Sequence, residues 1–218
     1  MSGYPGSPKL LRAGLVLIDP GSGAVVRIIA LQYASETLQR QLEAQTVQDE
    51  PDRSQPLRLT GPAKETITLD AELDATDQLE FPDRNPDAVA LGIHPQLAAL
   101  ETIIHPSAAA LTSADLLASF GSIEIAPMES HLAIFVWSRQ RILPVRITEF
   151  SVMEDAFDPA LNPMRAKVSI GMRVLSVDDL GFGHRGGALF MASLLAKERL
   201  VTKAPSRAIG ALGIGRIS

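Results

Sequence analysis

The sequence predicts a mainly β protein of the α+β class, built as an antiparallel sandwich or barrel with one central helical segment and a short C-terminal helix. Two observations support this prediction. Several stretches alternate apolar and polar residues, as strands with one buried face do, and turn residues join neighbouring stretches into hairpins. Helical spacing of apolar residues is concentrated in two stretches, 87–104 and 186–200.

The first part of the chain predicts a hairpin followed by a third strand. Residues 9–18 and 24–33 are rich in β-branched residues, and a short run of Asp, Pro, Gly and Ser joins them. Residues 37–44 fit either a strand or a helix. We favour the strand, although Arg40 interrupts its alternation.

Residues 65–74 show an uninterrupted strand pattern. Because successive side chains of a strand point to opposite faces, one face of this strand is predicted to be buried and the other polar. The predicted buried face carries Ile67, Leu69, Ala71 and Leu73. The predicted polar face carries Thr66, Thr68, Asp70, Glu72 and Asp74.

The middle of the chain predicts the central helical segment and then strands. Residues 87–104 have helical spacing, and Pro95 is expected to end a short first helix. A loop rich in Ala and Ser should follow. Residues 123–126 and 131–137 look like strands, the second covered on both faces, with Trp137 packed in the core.

The last part of the chain predicts a long hairpin and the C-terminal helix. Residues 142–156 and 164–177 have strand character and flank a turn at 157–163 that contains two prolines. The short helix is expected at 186–200.

The length and composition favour one domain spanning residues 1–218. A chain of 218 residues that is 46% hydrophobic and 21% charged can build a substantial core, placed at about 9–200. The stretch 47–62 is polar and contains three prolines, so we expect a mobile surface loop. The tail 203–218 is rich in Gly and Ala.

Charge and composition argue against several classes of protein. The net charge is −5 and the basic residues are scattered, whereas nucleic-acid binding needs a concentrated basic surface. The absence of cysteine removes disulfides, thiolate nucleophiles and cysteine-ligated zinc. The sequence shows neither a signal peptide nor a run of 18 apolar residues, so we expect no membrane partner and assembly in the cytoplasm.

The segment 181–186 matches the G-x-G-x-x-G pattern of dinucleotide-binding loops. The match begins 37 residues before the end, and no apolar strand follows to complete a βαβ unit. Lys203 stands near the position expected for the ribose-binding acid. We interpret the glycines as serving a tight turn, and we expect no bound cofactor.

Acidic residues on and after the strand at 65–74 suggest a metal site, because hard cations prefer clustered carboxylates. The strand alternation instead places Asp70, Glu72 and Asp74 on a polar face, toward solvent or a neighbouring subunit. The four histidines have no metal-binding spacing, and no G-x-S-x-G motif is present. We therefore expect no metal and no catalytic residues.

The long hairpin carries a resemblance to a known family. The run 143–148, the run 154–159, the triplet 161–163 and the pair Arg165 and Ala166 resemble the tube-like domain of baseplate proteins from contractile injection systems, which are phage-tail-like particles of bacteria. Further matching pieces occur in order from about residue 10 to 195: 31–33, 61–62, 64–67, 97–101 and 135–137. Ala34 and Ser35 depart from the family's Gln-Tyr-Asn-Pro pattern. Larger relatives continue into a LysM module, whereas this sequence ends at Ser218, which puts contacts through that module in doubt.

The resemblance implies a structural subunit that is not an enzyme. It implies a homohexameric ring with strands continuing across subunits, placed between the spike and the inner tube and contacting other baseplate proteins, in a particle that acts inside or outside its cell. Candidate interface residues are Asp70, Glu72, Asp74, Phe157, Asp158, Asn162 and Arg165. Two alternatives stay open: a small-ligand binder or enzyme on a β-barrel, if the glycine loop and the acidic strand share a pocket, and another ring-forming shell protein.

Overall fold

The computed structural model describes residues 13–31, 33–46, 58–119 and 130–204. In these ranges, seven antiparallel strands form one sheet in the order β2-β1-β5-β6-β7-β4-β3. The strands are β1 (Gly14–Ile18), β2 (Val25–Ala30), β3 (Tyr33–Glu43), β4 (Lys64–Asp74), β5 (Leu132–Ser138), β6 (Arg141–Phe157) and β7 (Pro163–Val174). The predicted antiparallel, mainly β class is confirmed, and the sheet is open instead of closed into a barrel.

Helices lie between β4 and β5 and after β7. They are α1 (Thr76–Leu79), α2 (Pro86–Leu91), α3 (His94–Glu101), α4 (Ala108–Ser119), α5 (Val177–Leu180) and α6 (Arg185–Val201), with a 3₁₀ turn at Pro82–Arg84. The expected break before Pro95 is confirmed, because α2 ends at Leu91 and α3 begins at His94. Within the described ranges, no helix is long and apolar enough to cross a membrane.

The main core covers one face of the sheet. Register places Ile67 of β4 beside Met172 of β7, and Met172 beside Ile147 of β6, so these side chains share a face. Helices α3 and α6 cover this core face, through Leu97 and Phe190 among others. Burial alternates along β4 as the sequence predicts, with Ile67, Leu69, Ala71 and Leu73 buried.

The opposite face of the sheet is polar over most of its width and becomes apolar where β1 pairs with β5. Ile18, Leu132 and Ile134 form a second, smaller cluster, against which Leu180 and Leu189 pack. This explains why the first half of β5 is buried on both faces, as expected. Trp137 packs against the main core, with its ring 6.0 Å from that of Phe135.

The hairpins predicted from the turn residues are present. β1 pairs with β2, and β6 pairs with β7 along eleven residue positions. The stretch 37–44, for which we favoured a strand, lies almost entirely within β3. β6 has 17 residues because its first part pairs with β5 and its later part with β7.

One helical expectation is corrected. The stretch rich in Ala and Ser, expected to be a loop, contains the 12-residue helix α4, so the central helical segment extends from 76 to 119. The helix α4 forms because alanine has high helix propensity and because the Ser107 hydroxyl accepts a hydrogen bond from Ala110 N at its start. The sequence did not reveal this helix, because its apolar residues lie on all sides and give no amphipathic period. The C-terminal helix expected at 186–200 is confirmed as α6, with one further residue at each end. The strand expected at 123–126, most of the loop 47–62 and nearly all of the tail 203–218 lie outside the described residues.

Candidate subunit interface

The turn between β6 and β7 is organised by one carboxylate. Asp158 Oδ1 accepts hydrogen bonds from the backbone N–H groups of Ala160 and Asn162, and Oδ2 accepts one from Asn162 Nδ2, each at 2.8 Å. The bonds from Asn162, together with that from Ala160, hold the pKa of Asp158 below its usual value. Leu161 has a positive φ of 64°, a conformation that a non-glycine residue rarely adopts outside such a turn.

The hairpin tip is also fixed to the central helices. Asn162 Nδ2 donates to Ala90 O at 3.1 Å, and Ile93 N donates to Pro163 O at 2.9 Å. Gly92, between α2 and α3, has a φ of 59°, and a Cβ there would collide with Pro163 O. The direction of the hairpin is therefore set within the subunit.

At the base of the tip, a charged ladder crosses the polar face. Arg165 donates through Nη2 and Nε to Asp74 Oδ2, at 2.8 and 2.9 Å, and Nε lies 3.5 Å from Glu72 Oε1. Burial raises the pKa of Asp74, but hydrogen bonds from Thr76 and Arg165 outweigh it, so the pKa is lowered overall. Asp74, mainly through its hydrogen bond, raises the pKa of Arg165. Asp70 lies on the same face, exposed and opposite Ser169.

Three apolar side chains are exposed on the hairpin. Met153 is 69%, Phe157 51% and Leu161 77% exposed, and we call these three residues the tip patch. Register places Met153 and Phe157 on the sheet face opposite the main core. Half of the surface of Phe157 is therefore open to contact.

The structure thus brings most of the sequence-predicted residues into one region. Glu72, Asp74 and Arg165 form the ladder, and Asp158 and Asn162 shape the tip beside Phe157. Asp70 lies farther along β4, outside the ladder. Whether these residues form a subunit contact stays a prediction.

The sheet has two outer strands, β2 and β3, each of which pairs on one side only in the described part of the chain. β2 is apolar and exposed: Val25, Val26 and Ile28 are 58%, 48% and 69% exposed. An exposed apolar outer strand offers unpaired backbone groups and favours pairing with another chain. The sequence predicted the strand but not its position at the edge, since periodicity carries no information on strand order.

The other outer strand, β3, differs from β2 because one of its charged side chains, Arg40, lies on the core face of the sheet. Arg40 lies opposite Ile67 on the core face and contacts Glu65 Oε1 through Nη2 at 2.5 Å and Nε at 2.7 Å. Lys197 of α6 contacts Glu65 Oε2 at 3.2 Å. The side chain of Glu65 is only 4% exposed, so two strands and a helix are joined through one buried carboxylate.

The sequence did not predict this ion-pair cluster, although two signals were present. Glu65 precedes Ile67 by two residues and Leu69 by four, so strand alternation places it on the apolar face of β4. Arg40 interrupts the alternation of apolar and polar residues along β3. Two opposite charges at inward positions of neighbouring strands predict an ion pair, once the strand order is known.

The glycine segment 181–186 joins two helices, α5 and α6. Gly181 has a φ of 77°, and a Cβ on Gly187 would collide with Gly181 O. The interpretation of a tight turn is therefore confirmed. His184 Nδ1 accepts from Gly186 N at 3.1 Å and caps α6.

The glycine segment and the acidic strand do not meet in a pocket among the described residues. Gly61, before β4, lies against Asp178 of α5, which places α5 near the start of β4, whereas Asp74 is at its end. An open depression near Asp74 is lined by Thr76, Asp77, Leu79, Glu80 and Met164. Within the described ranges, no three His, Asp or Glu side chains are grouped so as to hold a metal ion.

Comparison with known proteins adds little to this geometry. No family model and no curated protein matches the chain. A solved structure described as "Tail of empty GTA particle computed with helical refinement, C6 symmetry" is similar at a TM-score of 0.29 and 12% identity, covering 75% of this chain and 90% of that chain. A likeness at this TM-score carries no argument about function.

Proposed function

We propose that the chain is a structural subunit of a contractile injection system, which forms a six-membered ring in the baseplate and joins the spike to the inner tube. The ordered motifs of the long hairpin support the family, and the open sheet, whose outer strands β2 and β3 each pair on one side only in the described ranges, supports the ring. The role is mechanical: a rigid collar that templates tube growth and transmits force. Assembly in the cytoplasm fits this role.

The main support for the proposal is that the two edges of the sheet are formed by different strands, β2 and β3. A contact between β2 of one copy and β3 of the next is heterologous, and such contacts close into a ring when the rotation between copies is suitable. A closed ring pairs every edge and removes the aggregation hazard of an exposed apolar strand. The six residues of β2 can pair within the eleven of β3.

The tip patch and the charged ladder supply the second contact in this proposal. Phe157 projects from a turn whose shape is already fixed by Asp158 and Asn162, so little conformational entropy is lost when a neighbour covers it. The polar row Asp70, Glu72 and Asp74 then faces a channel or a rim.

A charge placed on the β2 edge tests the proposal. Ile28→Lys should leave the subunit folded, because Ile28 is 69% exposed, and should abolish ring formation measured by native mass. Thr68→Lys is the matched control, since Thr68 is exposed on the interior strand β4 and should not affect assembly. A ring that forms equally well in the Ile28→Lys variant contradicts the use of this edge. A ring found without tube and spike partners favours the alternative of another shell protein.

A further inference from the structure

The two outer strands of the sheet run in the same direction. The sheet has seven strands in the described ranges, and each strand is antiparallel to its neighbours. The direction therefore reverses at each of the six steps from β2 to β3, and an even number of reversals restores the original direction. β2 and β3 are parallel to each other, at opposite edges of one subunit.

This shared direction restricts how two copies can join edge to edge. In the proposed ring, on which this inference rests, each copy is rotated by one sixth of a turn from the last, and so small a rotation cannot reverse a strand. β3 of one copy and β2 of the next then run side by side in the same direction. A two-fold contact that continues the sheet would instead pair β2 with β2, or β3 with β3, in antiparallel fashion.

The irregularities of both edges agree with a parallel contact. On β2 the register shifts between Val25 and Arg27, and on β3 it shifts between Ala34 and Leu38, so each outer strand is irregular at its start. A bulge interrupts the regular row of backbone hydrogen bonds. Parallel alignment places the two irregular starts side by side, so the regular later parts can pair, whereas antiparallel alignment would set each irregular start against a regular end.

The regular segments, 27–30 on β2 and 38–43 on β3, also continue the same face of the sheet. Ile29 lies opposite Leu15 and belongs to the main core. Leu42 lies opposite the buried Glu65, on that same core face, and is 55% exposed at the open edge. A second copy that adds its β2 to this edge extends the core face past Leu42, which makes a copy of this chain a fitting partner.

We propose that neighbouring copies join through a parallel strand pair, in which segment 27–30 of one copy lies along segment 38–43 of the next. Parallel pairs are slightly less stable per residue than antiparallel pairs, and this pair is short. The strand pair therefore sets the relative direction of the copies, while side-chain contacts elsewhere add to the stability of the ring.

Pairs of introduced cysteines test this geometry directly, because the chain contains no cysteine. Six double variants combine a change on β2, Ile28→Cys or Ala30→Cys, with a change on β3, Gln39→Cys, Gln41→Cys or Glu43→Cys. All five positions are exposed, and register places them on the face opposite the main core. Neighbouring strands lie about 4.8 Å apart, within reach of a disulfide, whereas an offset of two residues, about 6.6 Å along the strand, is out of reach.

Oxidation of the assembled ring should give covalent oligomers up to the hexamer, separated by mass under denaturing conditions. In a parallel pair, the β3 position that cross-links to a cysteine at 30 lies two residues later than the position that cross-links to a cysteine at 28. The five single variants should give no cross-link, because equal positions of neighbouring copies lie a whole sheet apart. The opposite order, or a ring that forms without any cross-link, overturns the parallel contact but not the ring. A cross-linked dimer of a single variant, or a chain that stays monomeric, overturns both.

Discussion

Arg165 on β7 lies 2.8 Å from Asp74 on β4, and this ion pair ties the end of the acidic strand to the base of the long hairpin. The two residues are 91 positions apart in sequence. Their pairing means that the acidic strand and the hairpin tip form one surface of the subunit. Single substitutions can probe this surface separately from the ion-pair cluster on the other face.

Stability at acid pH should depend on Asp74. Its pKa in the folded chain is below the unfolded value of 3.8, so the carboxylate stabilises the fold above about pH 3.8, and this contribution is lost as the pH falls through the folded pKa. Asp74→Asn should lower the free energy of unfolding at pH 7, and the difference from wild type should shrink as the pH falls below 3.8 and through the folded pKa. Denaturant unfolding across this range measures it.

Asp70→Asn provides the matched control for that experiment, since Asp70 is exposed on the same face of the same strand. Its stability should follow the wild-type pH profile. If Asp74→Asn also follows that profile, the Asp74–Arg165 pair does not stabilise the folded chain.

Phe157→Ala should separate assembly from folding. Because Phe157 is 51% exposed, the isolated subunit should lose no more than about 1 kcal/mol, whereas ring formation should weaken strongly if a neighbour buries the aromatic side chain. Sedimentation at several concentrations measures both the monomer and the ring. Phe182→Ala, an exposed aromatic change away from the tip, is the control. Equal effects of the two substitutions on assembly contradict a role for the tip patch.

Glu65→Gln should be strongly destabilising. It removes the negative charge between Arg40 and Lys197 at a site where the carboxylate is 4% exposed, and breaking a buried ion pair in this way costs about 3 kcal/mol. Glu72→Gln, on the exposed face of the same strand, should cost under about 1 kcal/mol. A loss at Glu65 no larger than that at Glu72 shows that the cluster does not hold β3 and α6 to the sheet.

The sequence predicted individual strands and turns better than it predicted the order of the strands in the sheet. Alternation in β4 gave its buried face and its polar face, and the turn at 157–163 gave the long hairpin. The helix α4 was missed because an apolar, Ala-rich segment has no amphipathic period. The exposed edge at Ile28 and the pairing of Arg40 with Glu65 depend on strand order, which residues distant in sequence determine together.

We propose that six copies of this chain form a closed ring between spike and tube. Native mass measurement of baseplate subcomplexes, purified with spike and tube partners, tests it most directly. A permanent ring contact should bury more than about 2,000 Å² and resist modest salt, so a hexamer should persist when salt is raised moderately. A chain that stays monomeric beside those partners, and is absent from sheared particles, contradicts the claim.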